Sequence, residues 1–174
     1  MPITAVLLAA GYATRLYPLT LHCPKALLPL GKGTVLDAVL RGFGEVPQVH
    51  RWVLVSNHRF IEPFRQWRVA CGRQVEILDD GTETPDTRLG AIRDVVLAKA
   101  AVDLQDDLLV IGTDNLVQWS LADFVRTASA YRPHPSIALG QITSQEAATQ
   151  CGVGLRDATS RITTFVEKSS NPPS

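Results

Sequence analysis

The sequence predicts a doubly wound α/β fold, three α/β/α layers built around a mostly parallel, mixed sheet. Three observations carry that expectation. The apolar runs at 3–10, 51–56, 74–80 and 107–114 are continuous rather than alternating, as in strands covered on both faces. Longer stretches between them repeat apolar residues at helical spacing. Strands and helices also alternate along the chain, which implies right-handed crossovers and parallel pairing.

Taken in order, "ITAVLLAA" (3–10) is the first buried strand. It lacks the positive flank of a targeting segment and has about half the length of a membrane span. Residues 34–43 place Val35, Leu36, Val39, Leu40 and Phe43 at helical spacing, with Thr34 as N-cap. "RWVLVS" follows as a strand, and 58–70 as a helix presenting Phe60, Ile61, Phe64, Trp67 and Val69. After the strand "QVEILDD", residues 87–102 predict a helix with Leu89, Ile92, Val95, Val96, Leu97 and Ala100 turned inward. "DLLVIGTD" is the fourth strand. "SLADFVRTASAY" is the next helix, opened by Ser120 as N-cap and Asp123 in a capping-box-like start. Beyond residue 134, "SIALGQI", "GVGLRD" and "RITTFVEK" read as strands, the last two joined by "DATS" and all three expected as antiparallel additions to the sheet. No repeat, low-complexity tract or linker divides the chain, so a single domain over 1–174 is expected.

The 174 residues suffice for a substantial core, and 45% of them are apolar. Seventeen basic residues balance seventeen acidic ones, leaving no basic excess of the kind that nucleic-acid binding asks for. Cys23, Cys71 and Cys151 are odd in number, far apart and in no C-x-x-C pair, so they read as reduced thiols. A soluble, cytoplasmic protein with no membrane segment is expected.

Ligands of an open α/β sheet sit beyond the carboxyl ends of its strands. After the first strand comes Gly11-Tyr12-Ala13-Thr14-Arg15. A glycine lets backbone N–H groups approach a phosphate, a following helical turn adds its positive end, and Arg15 offers a planar charged fork. Pro18 and Pro24 stiffen the segment that presents a second cation, Lys25. A glycine turn with solvated charges explains these residues locally as well as a phosphate loop does. The P-loop pattern and the G-x-G-x-x-G fingerprint are both absent. Asp114 ends the fourth strand, where a carboxylate holds a Mg2+ that bridges nucleotide phosphates, or else caps a turn. "DDGTETPDTRLGA" after the third strand could admit a flat base, although a turn with Asp86 or Thr87 capping a helix is the readier explanation. His22, His50, His58 and His134 have no ligand spacing, and Trp52, Trp67 and Trp119 read as core or interface. Glu167-Lys168 alone is a solvated strand end.

Together, "LLAAGYATRLYPLT…PKALLPL", "VLVSNHRF", "ILDDGT…RLGAIRD", "DLLVIGTDNL", "CGVGL" and "ITTFVEKSSNPPS" resemble the ordered signature of the sugar-phosphate nucleotidyltransferases. Glucose-1-phosphate thymidylyltransferase-like proteins are the nearest subgroup. The resemblance implies the Rossmann-like nucleotide-diphospho-sugar transferase fold and transfer from an NTP to a sugar 1-phosphate, releasing pyrophosphate. It implies that Leu8, Ala9, Ala10, Gly11 and Thr14 wrap the nucleotide, with Arg15 on its phosphates and Gly90 by the base. Lys25 would meet the reacting phosphate and Asp114 would hold Mg2+. Gly152 and Glu167 would contact the sugar, and Lys168 its phosphate. Arg15, Lys25 and Asp114 are thus the expected catalytic set.

Arg93 stands where the family commonly has a small residue, and Cys151 replaces an aromatic one. Family members usually continue beyond "EKSSNPPS", adding sheet, helices and a second metal carboxylate. The expectation is therefore a C-terminally truncated portion, weak in turnover, whose apolar edge favours self-association as a homo-oligomer. The base is left open: dTTP or UTP is the first guess, although the loop lacks the glutamine-proline pair of such readers. Transfer to another phosphate such as phosphocholine, and a nucleotide-binding module without turnover, are the alternatives.

Overall fold

The computed structural model describes residues 1–42, 46–101 and 106–173. Phe43, Val102 at the end of the expected third helix, and Ser174 lie outside the described residues. The chain forms two compact units, Met1–Arg126 and Thr127–Ser174.

The first unit is built on β1 (Ile3–Leu8), whose burial is nearly complete along its length. A tiny hairpin, β2 (Pro29–Leu30) and β3 (Gly33–Thr34), leads into α1 (Val35–Gly42). Then follow β4 (Val49–Ser56), α2 (Ile61–Cys71), β5 (Val75–Asp79), α3 (Ala91–Ala101), β6 (Asp107–Gly112) and α4 (Leu121–Ala130), whose last residues belong to the second unit. The four long strands form one parallel sheet in the order β5-β4-β1-β6. Because side chains alternate along a strand, β1 feeds two cores. Ile3, Ala5, Leu7 and Ala9 pack with residues of α1, α2 and α4 such as Leu36, Phe64 and Val125. Val6 and Ala10 pack on the other face with Val53, Val55 and Ala98 of α3. These are the three layers that the sequence predicted.

Local chemistry sets the helix starts. At α1 the Asp37 N–H donates to Thr34 Oγ1 at 3.1 Å, while the Thr34 N–H donates back to Asp37 Oδ2 at 2.8 Å, a reciprocal cap. The Trp67 indole donates to the other Asp37 oxygen at 3.0 Å, which fastens α2 to the head of α1. Burial works to raise the Asp37 pKa, but the hydrogen bonds from Thr34 and Trp67 outweigh it and hold the carboxyl below its ordinary value. An ionised Asp37 therefore stabilises the fold above its unfolded pKa, and that contribution is lost as pH falls through the lower folded value. Asp37→Ala is expected to cost about 1–2 kcal/mol at neutral pH, as cap removals do. In urea melts the gap to the parent protein should shrink as pH drops below about 4.

Several expectations are corrected. The helix expected over 87–102 begins four residues later, because a single 3-10 turn (Pro85–Thr87), capped by Thr84 and Thr87, comes first. Its inward face also differs: Asp94 and Ala98 are buried, while Ile92 and Val96 are 82% and 61% exposed. Val69 of α2, expected inward, is likewise exposed. In the second unit, α5 (Gln145–Gln150) precedes β7 (Gly152–Arg156) and β8 (Ile162–Glu167), which pair antiparallel in a two-stranded sheet of their own. "SIALGQI" forms no strand, because nothing pairs with it, and Ile137 and Leu139 stand about half exposed.

All three cysteines are free. Among the described residues no helix is long and apolar enough to cross a membrane.

Candidate functional site

The carboxyl ends of the parallel strands gather the residues that follow β1, β4, β5 and β6. Much of the backbone after β1 is committed internally. The Leu8 carbonyl accepts from both the N–H (3.4 Å) and the hydroxyl (2.8 Å) of Thr113, the Ala9 N–H donates to the Val55 carbonyl, and the Ala10 carbonyl accepts from Asn57 Nδ2. Gly11 is different. It is exposed, makes no hydrogen bond to a described residue, and a Cβ placed on it would meet no atom within 4 Å. Its conformation does not demand glycine, so the gap beside it is room for something outside the chain to approach the backbone.

The loop then enters Ala13 in the left-handed region (φ 47°) and makes one 3-10 turn, Thr14–Leu16. A single turn supplies a small dipole, so most of any attraction for an anion there would come from the side chains. Arg15 is exposed and forms no ion pair among the described residues. The buried Thr20 hydroxyl donates to the Ala13 carbonyl at 2.8 Å, and the Arg59 guanidinium donates to the Leu21 carbonyl at 2.6 Å. Pro24 opens a second 3-10 turn, Lys25–Leu27, in which Ala26 is buried in the core. That buried neighbour fixes where Lys25 stands.

Lys25 Nζ lies 2.9 Å from Asp114 Oδ2, joining residues 89 positions apart. Their side chains are 42% and 50% exposed, so the pair contributes on the order of 1 kcal/mol or less to stability. Its meaning is geometric, because a cation and a carboxylate meet at the adjacent ends of β1 and β6. Gly112 permits this turn, since a Cβ there would sit 2.8 Å from Asn115 Nδ2 and 3.3 Å from Asp114 Oδ1.

Two residues that the sequence did not single out organise the same end of the sheet. Asn57, fully buried after β4, donates to the Ala10 carbonyl at 3.0 Å and accepts from the Phe60 N–H at 3.0 Å. A polar Ser-Asn pair directly after "WVLV" was the signal available. Tyr12, 4% exposed, shares a 3.2 Å hydrogen bond with Thr82 of the β5–α3 loop. Beside them, His58 Nδ1 lies 2.6 Å from Asp79 Oδ2, and that hydrogen bond and charge raise the His58 pKa. Gly90 adopts φ 85°, so the turn into α3 by itself requires glycine there.

In the second unit, Gly152 pairs with Glu167 across the β7–β8 hairpin, and a Cβ on Gly152 would lie 2.7 Å from both Glu167 Oε2 and the Phe165 ring. Lys168 donates its N–H to the Cys151 carbonyl at 3.0 Å, and its Nζ lies 3.5 Å from Glu167 Oε1. Lys168 holds φ 45°, a left-handed conformation that is costly for a residue with a side chain. The second unit thus gathers Gly152, Glu167 and Lys168 at one end of its hairpin, as the first gathers Lys25 and Asp114.

Comparison with known proteins places the chain in a family. The model of the family described as "Nucleotidyl transferase" matches residues 4–174. A probable mannose-1-phosphate guanylyltransferase of Oryza sativa is 28% identical over 94% of this chain and 45% of its own length. A Sulfolobus acidocaldarius protein named as a mannose-1-phosphate guanyltransferase is 26% identical over 98% of this chain and 45% of its own. A 2-C-methyl-D-erythritol 4-phosphate cytidylyltransferase of Salmonella arizonae is 30% identical over 57% of this chain and 40% of its own. The chain thus spans about half the length of the curated relatives it matches. A Bacillus anthracis protein named as a glucose-1-phosphate thymidylyltransferase, solved with sucrose, superposes with a TM-score of 0.78 at 17% identity. The match covers 98% of this chain and 66% of that one.

Proposed function

The chain belongs to the nucleotidyl transferase family, and on that premise we propose that it binds an NTP and a sugar 1-phosphate for conversion to an NDP-sugar and pyrophosphate. The observation that carries the reading is the Lys25–Asp114 pair at 2.9 Å, a cation and a carboxylate presented together at the ligand edge of the sheet.

The reaction asks for little covalent help. A sugar-phosphate oxygen, already anionic, forms a bond to the α-phosphorus while the bridge to the β-phosphate breaks, and pyrophosphate leaves with the electron pair. Two anions that repel must be aligned, and charge on the α-phosphate and the leaving group must be neutralised. In this reading Arg15 binds the nucleotide phosphates from the open loop beside Gly11. Lys25 stands at the reacting phosphate; in the second unit, Gly152 and Glu167 contact the sugar and Lys168 its phosphate.

The donor set suits Mg2+. Among the described residues no group of three His, Cys, Asp or Glu gathers to cage a metal. Asp114 is a half-exposed carboxylate at a strand end. Mg2+ is commonly bound by one or two carboxylates together with substrate phosphates, and Asp114 would hold it. Bound there, the ion would neutralise phosphate charge.

A second reading keeps the chemistry and changes the acceptor, since the Salmonella relative bears the name of an enzyme acting on a methylerythritol phosphate. The test is pyrophosphate release and calorimetric nucleotide binding with Mg2+. It would cross dTTP, UTP, GTP and CTP with sugar 1-phosphates, phosphocholine and a polyol phosphate. Binding of at least one NTP is expected, and Arg15→Ala should weaken it roughly 10- to 100-fold, as loss of a charge-assisted bond does. No NTP binding and no release for any pair would overturn the proposal.

A further inference from the structure

The loops that follow β1 and β5 meet through one buried tyrosine. Tyr12 directly follows the exposed Gly11, yet it is 4% exposed, and its ring lies 6.3 Å from that of the buried Phe60. Its hydroxyl is 3.2 Å from Thr82 Oγ1, 70 positions along the chain. The Thr82 hydroxyl has a single proton and donates it to Asp80 Oδ1 at 2.7 Å, so Tyr12 is the donor between the two. Burial, the largest influence on Tyr12, raises its pKa and keeps that proton in place.

Thr82 is a fixed point for this bond. Its N–H also donates to Asp80 Oδ1 at 2.7 Å, and its carbonyl accepts from the His58 N–H at 2.8 Å. The Asp80 N–H donates to the Ser56 carbonyl at 2.9 Å. The start of the β5–α3 loop is thus held by the end of β4 and the residues just beyond it. Gly11, without a hydrogen bond of its own, sits between two anchors: Asn57 holds the Ala10 carbonyl, and Thr82 holds the Tyr12 hydroxyl. Among the described residues, no other hydrogen bond joins residues 9–16 to residues 80–90.

We propose that Tyr12 is a positioning residue for the nucleotide. Its hydroxyl, through Thr82, holds the loop beside Gly11 in place against the loop that runs from Asp80 to Gly90, so that both are set before an NTP arrives. This rests on the nucleotide reading above, with the phosphates at the first loop and the base by Gly90 at the end of the second. Two parts of one ligand then meet surfaces whose relative placement is already fixed, and less ordering opposes binding.

Tyr12→Phe removes the hydroxyl and keeps the buried ring. Thr82→Val removes the other end of the bond, and Thr82→Ser keeps a hydroxyl there. Calorimetry would take dTTP, UTP, GTP and CTP in turn, each with Mg2+. Tyr12→Phe and Thr82→Val should each weaken whichever NTP binds about 3- to 10-fold, the range of one hydrogen bond. The double variant should bind no more weakly than the weaker single one, and Thr82→Ser should stay within about twofold of the parent. In amide exchange, Tyr12→Phe should speed exchange over residues 80–84 and Thr82→Val over residues 11–16, each in the loop that was not substituted. Losses of affinity that add in the double variant, or a lower melting temperature with affinity unchanged, would overturn the proposal. If no NTP binds, the nucleotide reading fails, while exchange that quickens only in the substituted loop would overturn the tie itself.

Discussion

Lys25→Ala is expected to lower the rate of pyrophosphate release about 100- to 1000-fold, while NTP affinity changes by less than about fivefold. The asymmetry follows from where Lys25 stands. Its ammonium is held near Asp114 by a turn whose next residue, Ala26, is in the core, so the charge is placed before any ligand arrives. A preplaced charge matters most when new charge develops on the transferring phosphate, which is a property of the transition state rather than of the bound nucleotide. Arg15, exposed on the open loop, is the residue expected to govern NTP affinity instead. Because the Lys25–Asp114 pair is exposed, its loss should hardly change stability, and the variant's melting temperature should lie within about 3 °C of the parent's. Equal loss through nucleotide affinity, with turnover of the bound complex unchanged, would sink the transition-state role.

The strands were legible because a strand covered on both faces leaves a plain record. "AVLL" in β1 and "WVLV" in β4 are continuous apolar runs, and these are the strands at the middle of the sheet. Helix α3 was legible only as a helix. Ile92, Val95, Val96 and Leu97 spread apolar character around its circumference, so periodicity did not fix which side faces inward. The structure buries Asp94 and Ala98 instead, a rotation set by the turn at Gly90, whose carbonyl accepts from the Asp94 N–H at 3.1 Å. "SIALGQI" failed for a different reason, because alternation records a preference for a sheet face and cannot supply the neighbouring strand. At the site, the sequence carried the order of Arg15, Lys25 and Asp114, and the resemblance supplied the roles proposed for them. The meeting of Lys25 with Asp114 across 89 residues is a product of the β1–β6 pairing. The left-handed backbone of Lys168 left no mark in the sequence at all, since lysine is a residue that composition would never place there.

The largest stability loss is expected at Asn57, which joins the fold to the site. Asn57→Leu keeps the branched shape, with somewhat more bulk, but removes both hydrogen bonds of a side chain that is 0% exposed. The Ala10 carbonyl and the Phe60 N–H would lose their Asn57 partner. A buried polar group left unsatisfied costs about 1–3 kcal/mol, so two of them set an expected loss of about 2–5 kcal/mol. For a chain of this length that corresponds to a fall in melting temperature of roughly 5–15 °C. The backbone at Ala10 directly precedes Gly11, so the loop that begins there should loosen even where the protein stays folded. Asn57→Asp separates the two bonds: the carboxylate still accepts from Phe60 but cannot donate to Ala10. Thermal melts should place both variants below the parent, the Asp variant bearing in addition the desolvation of a buried charge, and amide exchange separates the two bonds. Faster exchange should appear at Phe60 only in the Leu variant, and over residues 10–16 in both. A melting temperature for Asn57→Leu within a degree or two of the parent's would show that the two backbone groups find other partners and that Asn57 does not anchor the loop.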